Sequence, residues 1–592
     1  MQQKKGDGTN KKRIILTPLY LLILFTIGCI SHSNRSKPID EKDMPIPTPL
    51  DRILYNGIEL PDEWPPCNLD AKSKEPMRVP YLENPPAVIP IDIGRQLFVD
   101  DFLVETTSLR RVYHAANEYP GNPVFIPSSE TELHRTRGSE GEQEAVCYLG
   151  TGGVFYDPKE SLIKMWYTAG WRGALALATS SDGITWTRPP LNAKGENIVL
   201  PAGENEPFAG WDNTVYLDAA SKIEAERYKF LSQRPEQGHS HTLHTSKDGF
   251  EWSQGVQTGL AADYCTFFFN PFRNVWVHSI KRNGPRGRAR DYAESQVFMD
   301  PDIYDHSVYW VNADCFDQPD PEVGDEPQLY MLHGIAYESI LLGMFQIHLG
   351  PHNRVCEEGK FPKITELKLG YSRDGFHWDR PEREPFIKAT RKEGDWNRAY
   401  LHSTAGICLV AGDWLYFPCT GYSGVSSSGW EGMYTGARIG MMILRRDGFA
   451  SMETGVDGGV LTTRPVCFSG RRMFVNIDCP GGELRVEILD TAGMPISGFS
   501  KDDCLPVSVD KTLMAIAWKS GSDLTTLVNK PVRFRFYLNN GKLYSFWVSR
   551  DESGASLGFV AAGGPGYNKT YDDKGISAYN TAAKHMPEKG FH

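Results

Sequence analysis

Three carboxylates, two histidines and a tyrosine stand at equivalent places in successive segments of the chain. They are Glu144, Asp212 and Asp263, then His333 and His402, with Tyr400 two residues before the last. Each lies at or just before the start of an apolar strand. Carboxyl groups drawn from several segments suit general acid and base work, because a shared site pushes their pKa values apart. Histidine and tyrosine suit removal of a proton. Arg172, Arg234, Lys281 and Arg282 stand at the ends of other strands, and Arg398 in the loop leading to Tyr400. Cations so placed suit an anion. Lys281 to Arg290 carries five positive charges in an acidic chain and reads as a basic loop at the end of a strand.

A metal or cofactor is not expected. No cysteines form a Cys-x-x-Cys pair, and none is spaced with histidine as in a zinc site. Strand alternation puts His239 and His241, but not His244, on one face, without a carboxylate partner. Cys147, Cys265, Cys408 and Cys419 lie in apolar strands and read as buried thiols. Cys479 and Cys504 are a possible pair that the sequence leaves open.

The elements that position these groups are set by a repeated mark. Ser181-Asp-Gly-Ile-Thr-Trp186, Lys247-Asp-Gly-Phe-Glu-Trp252 and Arg373-Asp-Gly-Phe-His-Trp378 share one pattern, and Arg446-Asp-Gly-Phe449 is a shortened copy. The aspartates are separated by 66, 126 and 73 residues. The middle interval is about twice the others, so one mark is missing, in the segment ending at Trp310. Asp-Gly is a tight-turn pair, with glycine supplying positive φ and aspartate binding backbone N–H groups ahead of it. The mark therefore reads as a structural turn.

Short apolar runs precede each mark. The first segment runs Gly152–Asp157, Ile163–Tyr167 and Ala174–Thr179, and the next four repeat the order from Asn213, Cys265, Leu329 and Ala405. Five units of about four strands predict an all-β fold, a five-bladed β-propeller over residues 95–455. Beyond it, Phe474–Ile477, Leu484–Leu489, Val532–Tyr537 and Leu543–Val548 alternate with period two. They predict a β-sandwich over 456–550. Residues 51–94 read as a lead-in and 551–592 as a C-terminal tail.

The first 29 residues read as a lipoprotein signal peptide. A basic stretch with Lys11, Lys12 and Arg13 precedes the apolar run Ile14–Ile27, which Pro18 interrupts. It ends in Phe-Thr-Ile-Gly-Cys29, which resembles a bacterial lipobox, with Thr26 where leucine is usual. Lipidation of Cys29 and a flexible tether over 30–50 would anchor the chain to a membrane of the bacterial cell envelope. The net charge of −11 argues against nucleic acid as a partner.

A propeller followed by a sandwich resembles glycoside hydrolase family 32, and the propeller alone is similar to families 43, 62 and 68. The resemblance covers roughly residues 95–550 and lies in pattern. The Trp-Met-Asn-Asp-Pro and Glu-Cys motifs of family 32 are missing, and Arg290-Asp291-Tyr292 is a faint echo of its Arg-Asp-Pro. The resemblance thus implies a fold and a carbohydrate substrate, without catalytic residues. Those hydrolases use three carboxylates, the number offered by Glu144, Asp212 and Asp263. The leading expectation is a glycoside hydrolase acting on the ends of an anionic oligosaccharide, uronate- or sulfate-bearing. The alternative is a β-eliminating lyase or dehydratase that forms an unsaturated uronic acid. His333, His402, Tyr400 and the arginines match elimination better than hydrolysis. A third reading is a glycan-binding lipoprotein without catalysis. Glu338 falls at a turn between the first and second strands of the fourth unit, hence on the opposite face.

Overall fold

The computed structural model describes residues 52–133, 145–201, 213–234 (without the Arg234 side chain), 240–425 and 431–582. Contacts divide the chain into Met1–Ile39 and Asp40–His592, and every described residue belongs to the second unit. Glu144, Asp212, His239 and Cys29, with the signal and the tether over 30–50, lie outside the described residues.

Five antiparallel sheets follow one another along the chain. The first pairs Cys147–Asp157, Leu162–Ala169, Ala174–Ser180 and Ile198–Leu200 in order. The second pairs Asn213–Leu217, Tyr228–Arg234, Ser240–Ser246 and Val256–Leu260, and the third Thr266–Asn270, Val275–Gly284, Gly287–Ser295 and Val308–Val311. The fourth holds Gln328–Glu338, Ile340–Gly350 and Ile364–Ser372. In the fifth, Tyr400–His402 and Leu409–Ala411 pair with Trp414–Tyr422, which pairs with Ala437–Arg445.

Hydrogen bonds join the first strands of these sheets in sequence and back to the start. Asn213 N donates to Thr151 Oγ1 at 2.9 Å, Thr214 Oγ1 to Cys265 O at 3.3 Å, and Thr266 Oγ1 to Leu332 O. His333 Nδ1 lies 2.9 Å from Ser403 Oγ, and Val154 N donates to Ala405 O at 3.1 Å. Glycine makes the tightest of these contacts possible, since a Cβ on Gly153 would sit 2.2 Å from Val215 O.

The repeated marks act as turns. Asp182, Asp248 and Asp374 each accept from two backbone N–H groups ahead of them, at 2.7–3.1 Å. The glycines that follow have φ of 76°, 87° and 91°. These turns also stitch neighbours together. Trp166 Nε1 of the first sheet donates to Gly249 O, and Trp310 Nε1 of the third to Phe376 O. The shortened fourth mark departs from this use. Asp447 itself has φ 61° and is fully buried. Its carboxylate accepts from Arg95, Tyr337, Asn476 and Ser545.

Two further sheets pack on a shared core. One contains Arg472–Asp478, Asp510–Ala515, Gly541–Ser549 and Ala450–Thr454, the other Glu483–Leu489, Arg533–Asn539 and Gly459–Thr463. Phe546 of the first lies 5.3 Å from Phe536 of the second, ring to ring, with Phe98 5.6 Å away.

The termini of this unit cross the expected boundaries. Gln96–Leu97 and Arg110–Tyr113 pair into the first of these two sheets and Val104–Thr107 into the second, although the start of the repeats is expected at 95. Asn117–Glu118 forms the outer strand of the fifth sheet. In the expected tail, Phe559–Val560 pairs with Gln328–Glu338. Ala562 and Gly563 then bond to Tyr156, Cys408 and Val410 of the first and fifth sheets. Strands of two to four residues are too short to show a period, so sequence patterning passes over them. Cys479 and Cys504 are separate buried thiols.

Candidate active site

The site lies where the first strands begin. Tyr400 and His402 open the fifth sheet, Tyr330 and His333 lie early in the fourth, Tyr264 precedes the third, and Tyr148 begins the first. Aromatic contacts bind them together. The His402 ring meets Tyr400 edge-on at 4.3 Å, Tyr264 at 5.4 Å and Tyr422 at 5.5 Å. Tyr400 stacks on Tyr422 at 4.8 Å, and Trp171 stacks on Tyr434 at 4.2 Å. Tyr264 and Arg172 have φ of 58° and 51°. Left-handed backbone on such side chains is strained and collects at functional sites.

Both imidazoles are held neutral. His402 is fully buried, and neither ring nitrogen has a hydrogen-bond partner among the described residues. Burial first, and then the basic neighbours Lys363 and His333, hold its pKa well below the ordinary histidine value. Burial pushes His333 down to about 3. A neutral ring with a free nitrogen can accept a proton.

Cations surround the aromatic cluster. The expected basic loop is a hairpin, Val275–Gly284 against Gly287–Ser295, with Lys281 opposite Arg290 and Asn283 opposite Arg288. Strand alternation therefore sorts its charges by face. Lys281 and Arg288 reach the ring of Tyr330, at 5.7 and 5.2 Å from its centroid. Arg290 is buried and donates to the backbone oxygens of Tyr264 and Tyr330. Arg282 faces the other way, to Asp291 at 2.7 Å and Ser307 at 3.3 Å. Its expected place in the site is thus corrected: it is one residue out of phase with Lys281.

Asp263, expected as a catalytic carboxylate, is ion-paired with Lys281. Arg172 lies 5.5 Å over Trp171, and its backbone N–H donates to the Tyr148 hydroxyl at 3.2 Å. Arg398 is half-buried and enters the site through no side-chain contact among the described residues; its carbonyl accepts from Arg391 N. Glu144, Asp212 and the Arg234 side chain cannot be placed with these groups, being outside the described residues. His241 bonds Tyr304 at 2.8 Å, and His244 bonds Ser232 and Ser253. Among the described residues no group of three His, Cys, Asp or Glu is arranged to hold a metal.

Lys363, passed over in the sequence, sits at the centre of the cluster. It is fully buried between the rings of Tyr400 (4.4 Å), Tyr330 (4.8 Å) and Tyr434 (5.0 Å). Its Nζ donates to Tyr330 Oη at 3.1 Å and to Asn353 Oδ1 at 3.3 Å. Burial, then the Arg288 charge, holds its pKa well below that of an ordinary lysine. Burial raises Tyr400 well above the ordinary phenol value and Tyr434 to about 12. Lys363 precedes the third strand of its sheet, a place that carries no sequence signal. Tyr264, Tyr330 and Trp171 do stand where the charged residues were sought, at strand starts and ends.

No family model and no curated protein matches the chain. Solved structures similar to it include an N-acetylgalactosamine deacetylase from F. plautii, 13% identical, covering 58% of this chain and 96% of that one, TM-score 0.36. A thermostable family-43 glycoside hydrolase is 11% identical, over 52% of this chain and 94% of that one, TM-score 0.36. An exo-beta-1,3-galactanase from Phanerochaete chrysosporium is 10% identical, over 71% and 99%, TM-score 0.31. Glycoside hydrolases thus stand among the neighbours, as the sequence resemblance leads one to expect. At these scores the likeness carries no argument about chemistry.

Proposed function

We propose that the chain is a five-bladed β-propeller enzyme with a C-terminal β-sandwich, tethered to the cell envelope through Cys29, that acts on the end of an anionic saccharide. One observation carries the substrate class. Arg288, Arg290 and Arg172 gather around tyrosines and histidines together with Lys363 and Lys281, while Asp263, the expected carboxylate among the described residues, balances Lys281 alone. Such an excess of positive charge in a buried setting favours an anion. The C-terminal segment bonded across the other ends of the first and fifth sheets supports entry from one side only, which suits a chain end.

The chemistry of the site favours β-elimination from a uronic acid over hydrolysis. Elimination needs the sugar carboxylate neutralised, so that the neighbouring C–H becomes acidic, and a base that is uncharged or anionic beside it. Arg288 supplies the first, and neutral His402 with the tyrosines the second. Hydrolysis needs two carboxyl groups flanking one bond. Glu144 and Asp212 would have to supply what Asp263 does not, and that reading rests on them.

The deciding experiment incubates the purified protein with oligosaccharides that end in a uronate. Unsaturated-uronate absorbance without new reducing ends means dehydration, and both signals together mean lyase cleavage. Reducing ends alone would overturn elimination in favour of hydrolysis. Binding without either signal would leave a glycan-binding lipoprotein.

A further inference from the structure

Three basic side chains gather round one phenol, Lys281 with Asp263 as its ion-pair partner. Lys363 Nζ, the Arg288 guanidinium and Lys281 Nζ lie 4.8, 5.2 and 5.7 Å from the centroid of the Tyr330 ring. The Tyr330 hydroxyl oxygen accepts from Lys363 Nζ and from the Tyr400 hydroxyl, each at 3.1 Å. An oxygen that accepts two hydrogen bonds beside the Arg288 guanidinium is set up to carry negative charge. Tyr400 donates a hydrogen bond to Tyr330 and also lies near Lys363, 4.4 Å from its ring centroid, but Arg288 and Lys281 stand over Tyr330.

The charged and titratable groups facing Lys363 come from every side. They are Arg288 and Lys281 from the third sheet, Tyr330 and His348 from the fourth, and Cys356 and Glu357 from the helix before it. Tyr400, His402 and Tyr434 complete the set from the fifth. Lys363 makes no ion pair with a carboxylate among the described residues; its other hydrogen bond is to the neutral amide of Asn353. Arg288 and Lys281 disfavour an ammonium on Lys363 while it faces a neutral phenol, and a phenolate on Tyr330 at hydrogen-bond distance offsets that cost. An amine in that state can receive the phenolic proton and release it again.

We propose that Tyr330 is the catalytic base of the site and that Lys363 takes its proton. The proposal rests on the elimination reading. The Tyr330 O–H bond breaks and its proton forms an N–H bond on the Lys363 amine. The phenolate then removes the hydrogen beside the sugar carboxylate as a proton. The C–H electron pair becomes the π bond of the alkene, and the adjacent C–O bond breaks with its pair on oxygen. That oxygen takes the proton held by Lys363, which returns phenol and amine to their starting state.

The test is an absorbance titration of phenol ionisation on the intact protein, wild type against Tyr330→Phe and Lys363→Met, with near-ultraviolet circular dichroism to check folding. In the wild type one phenol should ionise about two pH units or more below the ordinary value of about 10. It should be missing from Tyr330→Phe and move up by about one unit or more in Lys363→Met. On a uronate substrate, Tyr330→Phe should lower kcat about a hundredfold with KM little changed, and Lys363→Met should move the basic limb of the pH profile. If unsaturated uronate forms while no phenol ionises early, Tyr330 is overturned and elimination stands. If the early phenol is present but uronates are untouched, the elimination reading falls and the ionised pair stands.

Discussion

Arg95 and Asp447 are 352 residues apart in the chain and 3.0 Å apart in space, both fully buried. Around them Glu338 accepts from Arg446 at 3.0 Å and from Ser556 at 2.7 Å, and Arg446 also reaches Asp572. Burial opposes charge on Asp447, but Arg95 and Arg446 hold its carboxyl below the ordinary range. The network ties the fifth sheet and the fourth to the second pair of sheets through ions that water does not reach. Glu338, which the sequence sets on the face opposite the site, is one of its members.

Breaking one partner of this network leaves a stranded buried charge. Glu338→Gln or Arg446→Met should lower stability by about 3–5 kcal/mol, read by urea denaturation. The double variant should lose less than the two losses added together. Strict additivity would mean that the ions act independently.

Within the basic hairpin, position along the strand decides the outcome. Arg288→Ala should lower turnover of a uronate substrate by about two orders of magnitude, while a neutral analogue changes little. Arg282→Ala, on the opposite face with Asp291, should leave kcat/KM within about twofold. Steady-state kinetics on both substrates checks the pair, and equal losses at the two positions would refute the sorting of charges by face.

Stability should fall in acid through buried histidines. His278 and His333 have pKa values lowered to about 4 and about 3, burial being the first cause in each. Unfolding raises them to about 6.5, so the unfolded chain binds more protons below that pH. Their stabilising effect is complete above pH 6.5 and is lost as pH falls toward 4 and then 3. Each should contribute about 2 kcal/mol of loss between pH 6.5 and 5. Chemical denaturation at several pH values, wild type against His278→Gln, should show a shallower decline in the variant.

The membrane tether is tested by fractionation. Cys29→Ser should move the protein from the membrane to the soluble fraction of the envelope, with catalytic constants unchanged. Equal membrane retention would refute lipidation at Cys29.

Most strands of the repeats were legible because tight turns and apolar runs are local properties, though the run expected from Ala405 is strand only from Leu409. Leu162–Ala169 and Ala174–Ser180 fall on the runs Ile163–Tyr167 and Ala174–Thr179 that the sequence marks. The short strands Gln96–Leu97, Asn117–Glu118 and Phe559–Val560 were not legible, since their partners lie hundreds of residues away. At the site, attention to charge found His402, Tyr400 and Lys281 but passed over Tyr330, Tyr264 and Tyr422. Tyr330 takes its interest from three basic side chains of other elements, and Lys363 from the rings that enclose it. Neither is visible until the sheets are brought together.

Pairing of Asn117–Glu118 with Ala437–Arg445, and of Phe559–Val560 with Gln328–Glu338, has a consequence for the order of assembly. During synthesis Asn117–Glu118 waits more than three hundred residues for Ala437–Arg445, and Gln328–Glu338 waits more than two hundred for Phe559–Val560. Until then both present open edges, the surfaces most prone to wrong pairing. Contacts so distant in sequence make folding slow and late. A chain cut after residue 550 should therefore emerge as a sticky nascent product, captured by chaperones.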